Sequence, residues 1–199
     1  MKYIEKIRQL ETFNLSTLSE LTNLKGKSLY KLVGRRVKDN TYIQLKKGLY
    51  TTKFYIENNN TLLYKEKIAN RLKIPSYLSL EYMLSKYSIL TESVYTFTSI
   101  STKKTNTYKN TLGIYSYRNL TKRLFIGYFI ENDVYYATKA KALFDYLYLK
   151  SDNIDISSLR LNLDELGTKD LEELEVYCKT NSRMKTIYNN LVNYKRNVS

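Results

Sequence analysis

The chain has 199 residues, a formal net charge of +14, one cysteine and no histidine. At 43% hydrophobic residues it can bury a sizeable core, and wholesale disorder is not expected. The missing histidine removes the commonest general base and metal ligand, and lone Cys178 leaves no internal disulfide framework, so neither a catalytic residue, a metal nor a cofactor is expected.

The charge is uneven. Residues 1–54 carry 12 Lys/Arg against 4 Asp/Glu, residues 55–150 carry 14 against 7, and residues 151–199 carry 7 against 8. The positive field belongs to the first three quarters of the chain, and a field of that sign attracts polyanions, nucleic acid above all. No run of about 18 uncharged apolar residues exists, so no membrane partner is expected. The opening MKYIEKIRQLE has acids within its apolar stripe and lacks a small-residue cleavage site, unlike a secretory signal. A single cysteine suits a reducing cytoplasm.

Ile4, Ile7 and Leu10 share one stripe, which predicts a first helix over Lys2–Leu10. Ser16 or Thr17 can cap a second, with Glu20 three residues after Thr17 as in a capping box, and that helix ends near Leu24. Lys25-Gly26 makes the turn, Gly26 suiting a positive φ. A third helix runs from Lys27 to about Asp39. Its apolar face is Leu29, Leu32, Val33 and Val37. Lys27, Lys31, Gly34, Arg35 and Lys38 gather opposite, and Arg36 lays its stem along the core edge. Asn40 tolerates the left-handed conformation and suits the C-cap. Tyr42–Leu45, the turn Lys46-Lys47-Gly48 and Leu49–Thr51 read as a β-hairpin.

The Asn-rich 56–61 breaks the periodicity and reads as a linker. Thr61 caps a helix through Leu72, Pro75 ends it, and Ser79 caps another through Tyr87. VYTFTSIS, GIYSYR, LFIGYFI and DVYYAT predict three or four strands in one antiparallel sheet, on which the apolar helix 139–149 packs. Two helices follow, one after Thr168 and one over about 182–195. The expected fold class is α+β. A winged helix-turn-helix occupies residues 1–55, 56–61 link, and residues 62–199 form a mixed domain whose small, mostly antiparallel sheet is packed by helices.

Helix, turn, basic helix and basic hairpin in that order form a module that places one helix in the major groove of DNA. The candidate DNA-binding residues are Lys27, Ser28, Tyr30, Lys31, Arg35 and Lys38 on the third helix and Lys46 and Lys47 at the hairpin tip. Lysines neutralise phosphates, and an arginine fork reads guanine edges. Lys103, Lys104, Arg118, Lys122 and Arg123 cluster around the strands; they read either as solvated loop charges or as a second basic surface for an acidic partner or RNA. Most of the 21 tyrosines belong to core or sheet patterns, Tyr30 excepted. Asp145, on the apolar helix between Phe144 and Tyr146, is a candidate for burial and pairing, but without a partner at readable spacing it makes no catalytic constellation.

From Ile74 the sequence becomes specific. Ile74-Pro75-Ser76-Tyr77-Leu78-Ser79-Leu80-Glu81, then Met83–Tyr87, Val94–Ser99 before Lys103-Lys104-Thr105, Gly113–Arg118, Gly127-Tyr128 and Ala137–Leu149 resemble the AbiEi family of type IV antitoxins. The KKGLY hairpin is similar to that family's DNA-binding part, and the resemblance spans about residues 15–150. It departs at Lys139-Ala140, where the family has Pro-Glu; the helix should still form. The resemblance implies a phage-defence regulator in two parts. The winged helix represses its own operon by binding inverted repeats in double-stranded DNA, where a dimer is one possible arrangement. Residues 62–199 counter a cognate nucleotidyltransferase-like toxin, directly or indirectly. The alternative is an antitoxin that binds and blocks the toxin, with DNA binding secondary.

Overall fold

Elements follow the sequence pattern closely in the computed structural model, which describes residues 2–150, 155–179 and 181–198. The chain divides into two compact units, Met1–Ile68 with Tyr108–Ile114, and Ala69–Thr107 with Tyr115–Ser199.

In the first unit the order is α1 (Lys2–Arg8), β1 (Phe13–Asn14), α2 (Leu15–Thr22), α3 (Gly26–Lys38), β2 (Tyr42–Lys46), β3 (Leu49–Thr52) and α4 (Lys53–Asn59). The strands form one antiparallel sheet in the order β1-β3-β2. Ile7, Phe13, Leu18, Leu29, Val33, Tyr42 and Tyr50 form its buried core. Phe13 meets Tyr42 edge-on at 4.9 Å and stacks on Tyr50 at 5.9 Å between ring centroids, which adds ring geometry to area burial worth about 1.5–3 kcal/mol per large side chain.

Two local expectations are corrected here. The cap of α2 is Asn14, not Ser16 or Thr17: its Oδ1 accepts from Thr17 N at 2.9 Å, so the helix starts earlier. Residues 56–59, read as part of a linker, are the second half of α4. Thr52 Oγ1 accepts from Tyr55 N at 2.9 Å and starts the helix. The Asn58 and Asn59 amides then donate to the Phe54 and Tyr55 carbonyls at 2.8 and 3.1 Å, so the asparagines support the turn they were expected to break.

Beyond α5 (Leu62–Leu72) come β4 (Ser76–Leu78), α6 (Leu80–Lys86), β5 (Thr96–Ser101), β6 (Asn106–Asn110), β7 (Gly113–Asn119), β8 (Tyr128–Glu131), β9 (Val134–Ala137), α7 (Lys139–Tyr148), α8 (Thr168–Cys178) and α9 (Ser182–Val198). The α+β expectation holds. The sheet is larger than expected and mixed, with six strands in the order β6-β7-β5-β4-β9-β8 and β4 parallel to β9 at Leu78↔Tyr136. Three-residue β4 and polar β6 carry no alternation to betray them. The first half of LFIGYFI is not a strand; Lys122–Leu124 makes a 3-10 turn and the strand starts at Tyr128. Helix α7 forms despite Lys139-Ala140, because Thr138 Oγ1 caps it by accepting from Lys141 N at 3.1 Å. Every residue from Ala140 to Leu147 is buried, and α7 packs against α6 and α8.

Candidate nucleic-acid interface

Helix α3 forms because its apolar residues recur on one side. Leu29, Leu32 and Val33 are 5–7% exposed, and Val37 packs against the same core. Asn23 in the left-handed conformation closes α2, and Gly26, at φ +51°, turns the chain into α3. Asp39 caps the far end through its N–H to the Arg35 and Val37 carbonyls, and Asn40 follows at φ +58°.

The opposite face is solvent. Lys27, Ser28, Tyr30, Lys31, Gly34, Arg35 and Lys38 are all exposed, Tyr30 by 64%. No acid lies in the first turn and Lys25 donates no side-chain cap, so the positive end of the helix dipole adds to the lysines. Arg36 behaves as expected. It is half-buried, and its guanidinium reaches Asp39 Oδ2 at 3.3 Å. Hydrogen bonds from Thr41, then Arg36, hold the Asp39 carboxyl below its ordinary value.

In the β2–β3 hairpin Gly48 sits at φ +81°, and the register shifts between Gln44 and Lys46. The two expected tip lysines part here. Lys47 is exposed, whereas Lys46 is half-buried with Nζ 5.9 Å from the centre of the Tyr108 ring. Asn110, in the same unit, donates its amide to Leu45 O at 3.1 Å.

On the second unit Lys103, Lys104, Arg118, Lys122 and Arg123 are all exposed. Leu120 N donates to Ser101 O at 3.0 Å and Asn119 Nδ2 to Lys103 O at 3.1 Å, which brings the loop of Lys103 and Lys104 beside the segment of Lys122 and Arg123. Arg118 instead lines a cleft of about 670 Å³ with Glu81, Tyr95, Tyr146 and Lys150. In the first unit a hollow of about 370 Å³ lies between α1 and α4, lined by Arg8, Arg36, Asp39, Lys53 and Glu57. Those charges are already engaged: Arg36 with Asp39, Lys53 with Glu57 at 3.6 Å, and Arg8 over the Phe54 ring at 5.1 Å.

The partners of one buried acid were not identified from the sequence. Asp145 is buried and paired, as its place on the apolar helix suggested: it lies 2.5 Å from Lys141 Nζ, and both side chains are fully buried. Tyr77 and Ser79 donate their hydroxyls to Asp145 Oδ2 at 3.0 and 2.8 Å. Lys141 Nζ also lies over Phe144 and Tyr177, 4.7 and 5.6 Å from the ring centres. Burial pushes the Asp145 carboxyl up, against Lys141 and the two hydroxyls, which pull it down. The i, i+4 spacing was the available signal. This network ties α7 to β4 and is saturated, which suits anchoring rather than chemistry. No group of three His, Cys, Asp or Glu that could hold a metal occurs among the described residues, and no described helix is long and apolar enough to cross a membrane.

In comparisons with known proteins no family model matches the chain, and no curated protein and no solved structure matches it.

Proposed function

We propose that residues 1–55 form a winged helix-turn-helix with α3 as its recognition helix, and that the chain is a DNA-binding antitoxin of the AbiEi type. It represses its own operon from inverted repeats in double-stranded DNA and counteracts a cognate nucleotidyltransferase-like toxin in the cytoplasm. One observation carries the DNA-binding half: the exposed face of α3 presents Lys27, Lys31, Arg35 and Lys38, with Lys47 in the adjoining hairpin. The likeness of Ile74–Tyr87 and Ala137–Leu149 to the antitoxin family supports the other half.

Gel shifts on DNA upstream of the chain's own reading frame test this. Five phosphate-neutralising side chains give log K a slope of about −4.5 against log salt, an affinity loss of about 500-fold between 50 and 200 mM. Lys31→Ala with Arg35→Ala weakens binding and makes the slope shallower by about 1.8. Shifts unaltered by that double change refute α3 as the recognition helix. Two bound copies protect half-sites spaced by about 10 bp or a multiple of it.

Strand β8 favours a second reading, direct binding of the toxin. It is the edge of the six-stranded sheet, and Tyr128, Phe129 and Ile130 are 37–60% exposed on it. A stable stoichiometric complex with the toxin on size exclusion selects that reading; separate elution with neutralisation intact selects the first.

A further inference from the structure

The cleft beside Arg118 is built from four separate elements. Thr96 and Thr98 alternate along β5, and Ser116 and Arg118 along its neighbour β7, so they share a face. Phe97 and Tyr115 point to the other face and stack there at 5.0 Å. Glu81 enters from α6, Tyr146 and Lys150 from the end of α7, and Tyr95 from the segment before β5. The volume of about 670 Å³ is within the usual range of small-molecule sites.

Its chemistry is unsatisfied. Arg118 and Glu81 have no ionic or hydrogen-bonding partner among the described residues. Lys150 Nζ lies 4.6 Å from the centre of the Tyr146 ring, and no acid pairs with this second cation among the described residues. Tyr95 is 88% exposed, far more than a tyrosine held by its own fold.

We propose that this cleft binds a phosphorylated nucleoside, either a free nucleotide or the terminal nucleotide of an RNA. The Arg118 fork takes a phosphate through two N–H groups, and Lys150 supplies the second positive charge. The Tyr95 ring offers its face to the base. Glu81 and the hydroxyls of Ser93 and Ser116 meet ribose hydroxyls or an exocyclic amine. A bare inorganic anion uses only the cations and is repelled by Glu81. A neutral sugar uses only the hydroxyls and Glu81. A nucleotide engages all three groups.

Saturation-transfer NMR on the full chain tests this, with AMP and ATP as free nucleotides and a 5′-phosphorylated pentaribonucleotide as RNA terminus. At least one probe should show saturable transfer to base and ribose protons. Arg118→Ala and Tyr95→Ala should each weaken it tenfold or more, while Lys31→Ala/Arg35→Ala, which disables the proposed DNA face, leaves it unchanged. Transfer to the mononucleotides identifies a free nucleotide as the ligand; transfer to the oligonucleotide alone identifies an RNA end. Arg118→Lys keeps the charge and loses the fork, and serves if the alanine variant melts early. No saturable transfer from any probe in the millimolar range, or equal affinity in the Arg118 and Tyr95 variants, overturns the proposal.

Discussion

Replacing Asp145 by Asn keeps its shape and one carbonyl acceptor for Tyr77 and Ser79, and removes only the charge. Lys141 is then a fully buried cation without its partner. It must stay charged in an apolar site or give up its proton. The second route sets a ceiling. Neutralising a lysine of ordinary value about 10.4 costs about 4.6 kcal/mol at pH 7. Lys141→Met strands the carboxylate instead, and protonating it from about 3.9 costs about 4.2 kcal/mol. Each single change should therefore cost about 3–5 kcal/mol, much of a typical domain's stability of about 5–15. The double variant Lys141→Met/Asp145→Asn carries no buried charge and should fall within about 2 kcal/mol of the parent. Urea unfolding followed by circular dichroism reads all three. The pH dependence separates charge from packing. With Met at 141 the Asp145 value is raised further, so the penalty fades as pH falls toward 4. Two singles that cost the same at every pH, or a double variant as unstable as their sum, would refute the buried charge pair.

The glycines separate fold from function. At Gly127 (φ +74°) an added Cβ would meet Tyr177 Oη at 2.3 Å and Lys141 Cγ at 3.0 Å, so Gly127→Ala should lower stability by about 2–4 kcal/mol in the same unfolding assay. Gly34 is exposed on α3 with nothing within 4 Å of an added Cβ, so Gly34→Ala should stabilise the protein by up to about 1 kcal/mol. Weaker gel shifts in that stabilised variant show that the DNA backbone approaches Gly34 closely. Burial pushes the Cys178 thiol up from 9.0 to about 12, and the Tyr42 and Tyr87 hydroxyls up from 10.0 to about 12. Raised folded-state values give a contribution that is complete below the ordinary ones and lost as pH climbs through about 12. The melting temperature should hold to about pH 9 and then fall, and the thiol should react with a disulfide reagent only in urea; fast labelling of the native protein contradicts the burial.

What was legible in the sequence lay within single elements. The split of α3 into Leu29, Leu32 and Val33 against Lys27, Lys31 and Arg35 is a pattern of period 3.6 that needs no other part of the chain. The hairpin and α7 through α9 are local in the same sense. The missed features depend on partners far away. Strand β4 is three buried residues whose neighbours are Ser99–Ser101 and Tyr136. Lys141 and Asp145 are visible as an i, i+4 pair, yet their burial follows from β4 and α8, not from spacing. The cleft draws its wall from residues between 80 and 150, and no window contains it.

Charge divides in the same way, more sharply. Summed over residues 1–54, the positive field looked like a property of the whole segment. The structure divides it. Arg8 lies over Phe54, Arg36 meets Asp39, Lys53 meets Glu57 and Lys46 lies over Tyr108. Among the described side chains of that segment, the cations left exposed with neither acid nor ring beside them are Lys6, Lys25, Lys27, Lys31, Arg35, Lys38 and Lys47. All but Lys6 lie on α3, at its N-cap or in the adjoining hairpin turn. A polyanion responds to this remainder, because a cation already facing a carboxylate or a ring has less to offer a phosphate. The same sorting in the second unit neutralises Lys141 against Asp145, sets Lys86 over Tyr136, and leaves Arg118 open in its cleft. Net charge gives only the sign of the field, while pairing within the fold decides which surface carries it.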